Sequence, residues 1–306
     1  MDQEIELRHL RYFVAVAEEL HFGRAAKRLH LSQPPLSQQI RRLEELLGYP
    51  LFVRTSRAVR LTGAGQVFLE RALRTMRKME EDVEAMRTVA RGEAGTLGVG
   101  FIGSGMLTTI PAMLGQYRAR FPNVNLQLRE MYTSGVIRAL KEGSLDVGFL
   151  RDGGPTEGLE VETLFSEPFL AVLPAKHPLA KRSDRRPMDA GELASEPFVF
   201  FSPTAGSRAY EKPVSICEAA GFRPRVVQEA PQWLTIMRLV GAGLGVSIGP
   251  ACAERIRTPE VVCRRLRAPT GKTAVLSEIE LARRAGDDRP IVDAFCKLAR
   301  EKLKKH

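Results

Sequence analysis

Gln33, Ser37, Gln38 and Arg41 stand where a helix would put them on one side: amides, a hydroxyl and a guanidinium, with nothing apolar among them. Amide and guanidinium ends can each make two hydrogen bonds to one base edge, and a major groove admits a helix that carries them. On the other side Leu36, Ile40, Leu43 and Leu47 repeat at spacings of four, three and four, an apolar stripe for packing. Ser32 takes the N-cap position, where its hydroxyl can accept a backbone N–H. Pro34 and Pro35 follow in the first turn, where a missing N–H costs little.

A second set of polar residues follows short apolar runs. Gly103 and Ser104 come after LGVGF (97–101), Thr133 after LQLRE (126–130) and Arg151 after DVGFL (146–150). Ser202 and Pro203, with Thr204, come after FVFF (198–201). If the runs are strands of an α/β sheet, these residues stand at strand C-termini, where such sheets bind ligands. Ser104 and Thr133 open helices, so their hydroxyls and nearby N–H groups could hold an anion. Arg151 could pair bidentately with a carboxylate. The bland alternative is two helix caps and a surface ion pair. The joint placement favours a small anionic effector, faced by Ser202, Pro203 and Thr204 from a second lobe.

Bond-making chemistry finds no support. Gly-x-Ser-x-Gly does not occur, and Gly103-Ser104-Gly105 is shorter. His9, His21, His30, His177 and His306 form no H-E-x-x-H or other metal spacing. Gly241-Ala242-Gly243-Leu244-Gly245 follows a helix and opens a strand, the reverse of a dinucleotide loop. Cys217, Cys252, Cys263 and Cys296 make no C-x-x-C pair and read as packing residues. The expectation is no enzyme, no metal and no cofactor.

The polar helix is the second of a pair, a helix-turn-helix over about 22–41 with His30 and Leu31 in the turn. An apolar helix (10–20) can pack behind it, and 50–62 reads as a hairpin wing with Arg54, Arg57 and Arg60. Residues 64–91 read as one helix in which Leu69, Met76, Val83 and Ala90 recur every seven residues, with Ala72, Met79 and Met86 three positions later. That is a coiled-coil seam, favouring a dimer over a helix packed only on its own domain. From Gly92 the pattern alternates strands and helices, which implies a parallel sheet covered on both faces. FLAVLP (169–174) is expected to cross into the second lobe and AVLSEIELA (274–282) to cross back. The predicted domains are a DNA-binding domain (1–63), a linker helix (64–92) and an effector domain (93–306). Lobe I would comprise about 95–165 and 270–306, and lobe II about 166–269.

The stretch LRYFVAVAEELHFGRAAKRLHLSQPPLSQQIRRLEELLGYPLFVRTSRAVRLTGAG resembles the N-terminal domain of LysR-type transcriptional regulators. The likeness rests on AA in the first helix of the pair, SQPPLSQQI opening the second, LE-LG-LF-R across the wing and LT-AG beyond. It extends more weakly over the whole chain. It implies a winged helix-turn-helix, a linker helix that pairs subunits, and a two-lobed effector domain like periplasmic binding proteins. It also implies double-stranded promoter DNA as partner and a homotetramer built from linker-helix dimers. By this reading Ser32, Gln33, Pro34, Pro35, Ser37, Gln38, Arg41 and Arg54 meet DNA. Gly103, Ser104, Thr133, Arg151, Ser202 and Pro203 meet the effector. The SQPP opening is similar to that of members controlling the breakdown of aromatic compounds. An enzyme in the cleft and a constitutive architectural DNA-binding protein are the competing classes.

Composition agrees. Net charge is +10, which favours polyanions, yet residues 1–63 carry ten Lys/Arg against seven Asp/Glu, so placement matters more than total. Hydrophobic content of 44% is ordinary, and no apolar run approaches the roughly 20 residues of a membrane span. The acidic start MDQEIELRHL is no secretory signal, so the expected compartment is the cytoplasm.

Overall fold

The computed structural model describes residues 5–55, 58–182, 186–203, 207–267 and 274–304. The chain divides into two compact units, Met1–Thr88 and Val89–His306.

The first unit holds α1 (Leu7–Glu19), α2 (Phe22–Arg28), α3 (Gln33–Leu47), β1 (Phe52–Arg54), β2 (Val59–Leu61) and most of α4 (Gly63–Ala90). Phe13, Val16, Ala25, Leu36, Ile40 and Leu43 form its core, each at most lightly touched by solvent. The Phe13 ring meets Phe52 of the wing at 5.3 Å and Phe68 of α4 at 4.9 Å, so one side chain ties three elements. His21 starts α2, its Nδ1 accepting the Gly23 and Arg24 N–H groups at 3.0 and 3.2 Å. His30 closes the turn with φ 58°, in the left-handed region that reverses the chain before α3. The wing strands pair antiparallel, Val53 opposite Arg60.

The seam expected along α4 divides in two. Leu69, Ala72 and Met76 pack on this unit's own core. Met79 and Met86 remain exposed, by 47% and 64%, with Val89 at 59%. The simple amphipathic reading therefore holds for Leu69, Ala72 and Met76, while Val67, at 61%, and the later Met79, Met86 and Val89 stay exposed.

The second unit is built on a seven-stranded sheet ordered β10-β6-β11-β5-β3-β4, with β9 also beside β6. β3 (Ala94–Phe101), β4 (Asn123–Glu130) and β5 (Val147–Arg151) run parallel. β11 (Leu276–Arg284) runs antiparallel to β5 and to β6 (Leu159–Pro174), so the sheet is mixed rather than parallel throughout. A strand returning from the other lobe enters the sheet from its opposite end, which fixes that direction. The outward crossing is β6 itself. Its first part pairs with β11, its last part with β9 (Ser247–Pro250) and β10 (Val261–Arg265). The crossing strand thus begins at Leu159, ten residues before the expected Phe169.

Lobe I is completed by α5 (Ile110–Arg120) and α9 (Pro290–Leu303) around Leu97, Val99, Phe149, Ile279 and Phe295, and by α6 (Thr133–Lys141), which buries Val136, Ala139 and Leu140 with Leu145, Leu150 and Ala282. Lobe II adds β7 (Pro197–Phe201), α7 (Ser207–Ala219), β8 (Arg225–Ala230) and α8 (Trp233–Gly241); α7 packs around Leu173, Phe198, Phe200 and Ile248, and α8 buries Ile236, Met237 and Val240 with Val172 and Val199. In each lobe a parallel strand pair, β3–β4 or β7–β8, runs toward a helix start. Among the described residues no helix is long and apolar enough to cross a membrane.

Candidate functional site

Two places gather the polar residues. The first is the start of α3. Ser32, Gln33, Pro34, Pro35, Gln38 and Arg41 are exposed and Ser37 is half-buried, while Leu36, Ile40 and Leu43 are buried beneath them. Ser32 occupies the N-cap but its side chain makes no cap hydrogen bond, contrary to expectation. The reason is in the sequence. A cap accepts from the N–H of the second or third helical residue, and those are Pro34 and Pro35, which have none. The two prolines set the helix start and leave the Ser32 hydroxyl without a cap hydrogen bond.

Arg54 departs from its expected place. It turns inward, its Nη2 donating to Glu44 Oε2 at 2.6 Å and its guanidinium lying 4.9 Å above the Phe22 ring. The other Glu44 oxygen accepts the Leu51 and Phe52 N–H groups at 2.8 and 3.1 Å. Arg54 and Glu44 therefore fasten the wing to α3, and among the described wing residues Arg60 is an exposed cation. Arg57 lies outside the described residues.

The second place is a cleft between the lobes of the second unit. Gly103, Ser104, Thr133 and Arg151 line it, with Ile102, Met131, Tyr132 and Asp152 from lobe I. Lobe II contributes Phe169, Phe201, Ala209, Pro231, Gln232, Trp233 and Pro250. About 520 Å³ is free of atoms, open solvent included. Ser202 and Pro203 are not in this lining. Ser202 Oγ instead donates to Glu229 Oε2 at 3.1 Å, and Pro203 is exposed. Thr204 lies outside the described residues.

The sequence reading missed the lobe II wall, although the rule that found Thr133 also points to it. β4 ends at Glu130 and α6 starts at Thr133; β8 ends at Ala230 and α8 starts at Trp233. Pro231-Gln232-Trp233 is therefore the second strand-to-helix switch. Neither cap residue, Tyr132 or Gln232, covers its helix start with a side-chain hydrogen bond. Trp233 stacks on Phe201 with centroids 6.2 Å apart. A Cβ on Gly249 would lie 2.4 Å from the Trp233 ring, so only glycine gives the indole its seat.

Arg151 is the main correction. Its side chain is 6% exposed and its Nη1 donates to Glu167 Oε1 at 2.8 Å, so the carboxylate expected from a ligand is supplied by β6. Nη1 also donates to Ser277 Oγ at 2.6 Å, Nη2 lies 3.3 Å from Cys252 Sγ, and Nε donates to Ser104 Oγ at 2.9 Å. Glu167 Oε2 accepts the Cys252 N–H at 2.7 Å. Ser277 passes the chain on to Asp152 Oδ2 at 2.9 Å, and Asp152 Oδ1 takes Lys212 Nζ of α7 at 2.6 Å. A satisfied polar network thus links the lobes beneath the cleft. Thr133 Oγ1 accepts the Arg151 N–H at 3.2 Å and donates to the Arg151 C=O at 3.1 Å, so its one donor is used.

Cys252 Sγ enters this network as an acceptor for Arg151, and the thiols bring no charge to it. Burial pushes Cys217, Cys252 and Cys263 up to about 12 and Cys296 up to about 11, so all stay protonated near neutral pH. Among the described residues no group of three or more His, Cys, Asp or Glu could hold a metal ion.

Comparison with known proteins gives two family matches: bacterial regulatory helix-turn-helix protein, lysR family, over residues 7–66, and LysR substrate binding domain over 90–304. The HTH-type transcriptional regulator AlsR of Bacillus subtilis is 38% identical over 95% of this chain and 94% of its own. The Hca operon transcriptional activator HcaR of Escherichia coli is 36% identical over 98% of both. Among solved structures, CbnR, a LysR family transcriptional regulator, superposes with a TM-score of 0.82 at 28% identity, covering 97% of this chain and 100% of that one. Full-length CbnR complexed with its target DNA gives 0.80 at 28% identity, covering 98% and 100%.

Proposed function

Because the chain belongs to the LysR family of transcriptional regulators, we propose that it reads promoter DNA with the exposed face of α3 and adjusts that reading when a small acid enters the cleft. It is a DNA-binding regulator with an effector domain, and not an enzyme. Gln33, Gln38 and Arg41 meet base edges, Ser32 and Arg60 meet phosphates, and Arg54 holds the wing in place.

Ser104 carries the effector reading. Its Oγ accepts from the Arg151 guanidinium, so its own hydrogen is left to donate into the cleft. The first N–H groups of α6 and α8 lack partners within their helices, and each helix start carries roughly half a positive charge. Every one of these groups donates, so the ligand end they suit is an oxygen acceptor, a carboxylate above all. Arg151 keeps Glu167 and acts through Ser104 as a positioning residue. The stacked Phe201 and Trp233 would suit a flat body, in keeping with the SQPP likeness to regulators of aromatic breakdown.

Met79, Met86 and Val89 are the edge by which two α4 helices would pair. Two such dimers would form a tetramer that bends DNA, a deformation of about 1–6 kcal/mol offset by added contacts. The effector can shift that geometry only by binding the two states unequally. The test is a thermal-shift screen of small carboxylates on the parent and Ser104→Ala. One charge-assisted hydrogen bond is worth roughly 1.5–3 kcal/mol, so a carboxylate that stabilises the parent should bind the variant at least tenfold more weakly. Equal binding to both would place the ligand elsewhere.

A further inference from the structure

Gly103 stands between the two switch points, and its missing side chain is put to use. A Cβ there would lie 2.5 Å from Glu130 Oε1 and 2.9 Å from Gln232 Oε1. Gln232 Nε2 donates to Glu130 Oε1 at 3.2 Å. The last residue of β4 and the cap of α8 therefore meet over the Gly103 backbone and bridge the lobes. Ser104 is buried in the lining; Glu130 is exposed and stands just outside it, against the lining residues Gly103 and Gln232, so the donor hydroxyl lies deeper than the carboxylate.

The charges around the cleft are unbalanced. Arg151 is taken by Glu167, and Lys212 is shared between Asp152 and Glu278 at 2.6 and 2.8 Å. Glu130 is left with an uncharged amide. With Arg208, which lies against Gly154 beside the lining Ala209, and Glu280, which accepts the Gly153 and Gly154 N–H groups, three cations stand among five carboxylates. Two helix starts, at roughly half a charge each, offset part of this and act mainly at the floor.

We infer that Glu130 sets the charge of the effector: the cleft takes one carboxylate at Ser104 and refuses a second at its mouth. The inference rests on the carboxylate reading above and narrows it to monoanions. Two like charges held a few ångströms apart at a partly exposed site lower affinity by a factor of about ten.

Matched pairs differing by one carboxylate test it: propionate against succinate, and benzoate against terephthalate. Affinities are measured by calorimetry on the full chain for the parent, Glu130→Gln and Gly103→Ala. The parent should favour the monoacid of a pair by about tenfold. Glu130→Gln keeps a polar partner for Gln232 and removes the charge, and should bring the ratio below about threefold. Gly103→Ala, whose methyl must push Glu130 aside, should move the ratio the same way. A ratio between matched ligands is not changed by general loosening of the fold, so a merely structural Glu130 would leave it alone. Equal binding of monoacid and diacid by the parent, or the parent's ratio kept in Glu130→Gln, overturns the inference while leaving the carboxylate site intact. Failure of all four acids to bind any of the proteins overturns the carboxylate reading itself, and Glu130's role with it.

Discussion

Arg151→Met would remove a charge that four side chains surround and leave Glu167 buried without its partner. Methionine roughly fills the aliphatic space, so the change reports on the pair more than on a cavity. The two side chains are 6% and 13% exposed, so water cannot take over as it would at a surface pair. Removing one member of a buried pair typically destabilises by about 3–5 kcal/mol. For the unit Val89–His306, at about 2–4 °C per kcal/mol, the melting temperature should fall by about 6–20 °C. Calorimetric unfolding of the full chain reads this in the transition of that unit. Glu167→Gln added to Arg151→Met removes both charges and should return much of the loss, a coupling of at least about 2 kcal/mol. A single mutant that melts within about 2 °C of the parent, or two substitutions whose effects simply add, would refute the network.

The wing separates two arginines. Arg60→Ala should lower the salt slope of DNA binding by about 0.9, measured by anisotropy titration, whereas Arg54→Ala should leave that slope alone and lower the melting temperature of the first unit. Met79→Lys puts a charge on the exposed half of the α4 seam and should give monomers in sedimentation with both units folded; a variant that stays dimeric removes the seam. Asp287 is held down to about 2, first by its hydrogen bond to Arg289 and then by Arg284 nearby. Its folded pKa lies below the unfolded value, so its stabilisation is full above about pH 4 and is lost as pH falls to about 2. With Arg289 half-exposed, Asp287→Asn should flatten stability between those limits by about 1–2 kcal/mol, read by denaturant titration at each pH.

The first unit was legible because its signals are local. A stripe of Leu36, Ile40 and Leu43 and a pair of prolines specify α3 without reference to anything distant. Both misplaced arginines have remote partners. Glu44 lies ten residues before Arg54, and the Arg151 guanidinium is completed by Glu167, Ser277 and Cys252, the last 101 residues away. Strand C-termini marked where a cleft would form, but not which groups were already spoken for. Strand direction leaves no trace in composition, so the return crossing at 274–282 was expected while its antiparallel pairing with β5 and β6 was not. Gln232 and Trp233 were missed for a plainer reason. Nothing polar marks the start of α8 as strongly as Thr133 marks α6, although the strand-to-helix step is the same. The α4 heptads gave the helix correctly and could not show that Leu69, Ala72 and Met76 were needed by the adjoining core.

Coupling between the cleft and the DNA is read most directly from the bend. A site selected from random DNA by the full chain is labelled at both ends, and its bend is followed by fluorescence energy transfer while a carboxylate found in the thermal-shift screen is added. The bend should change in the parent protein and stay fixed in Ser104→Ala at the same concentration, with both proteins bound to the DNA throughout. A parent complex whose bend ignores a carboxylate that demonstrably binds, or a Ser104→Ala complex that responds as the parent does, would contradict the account.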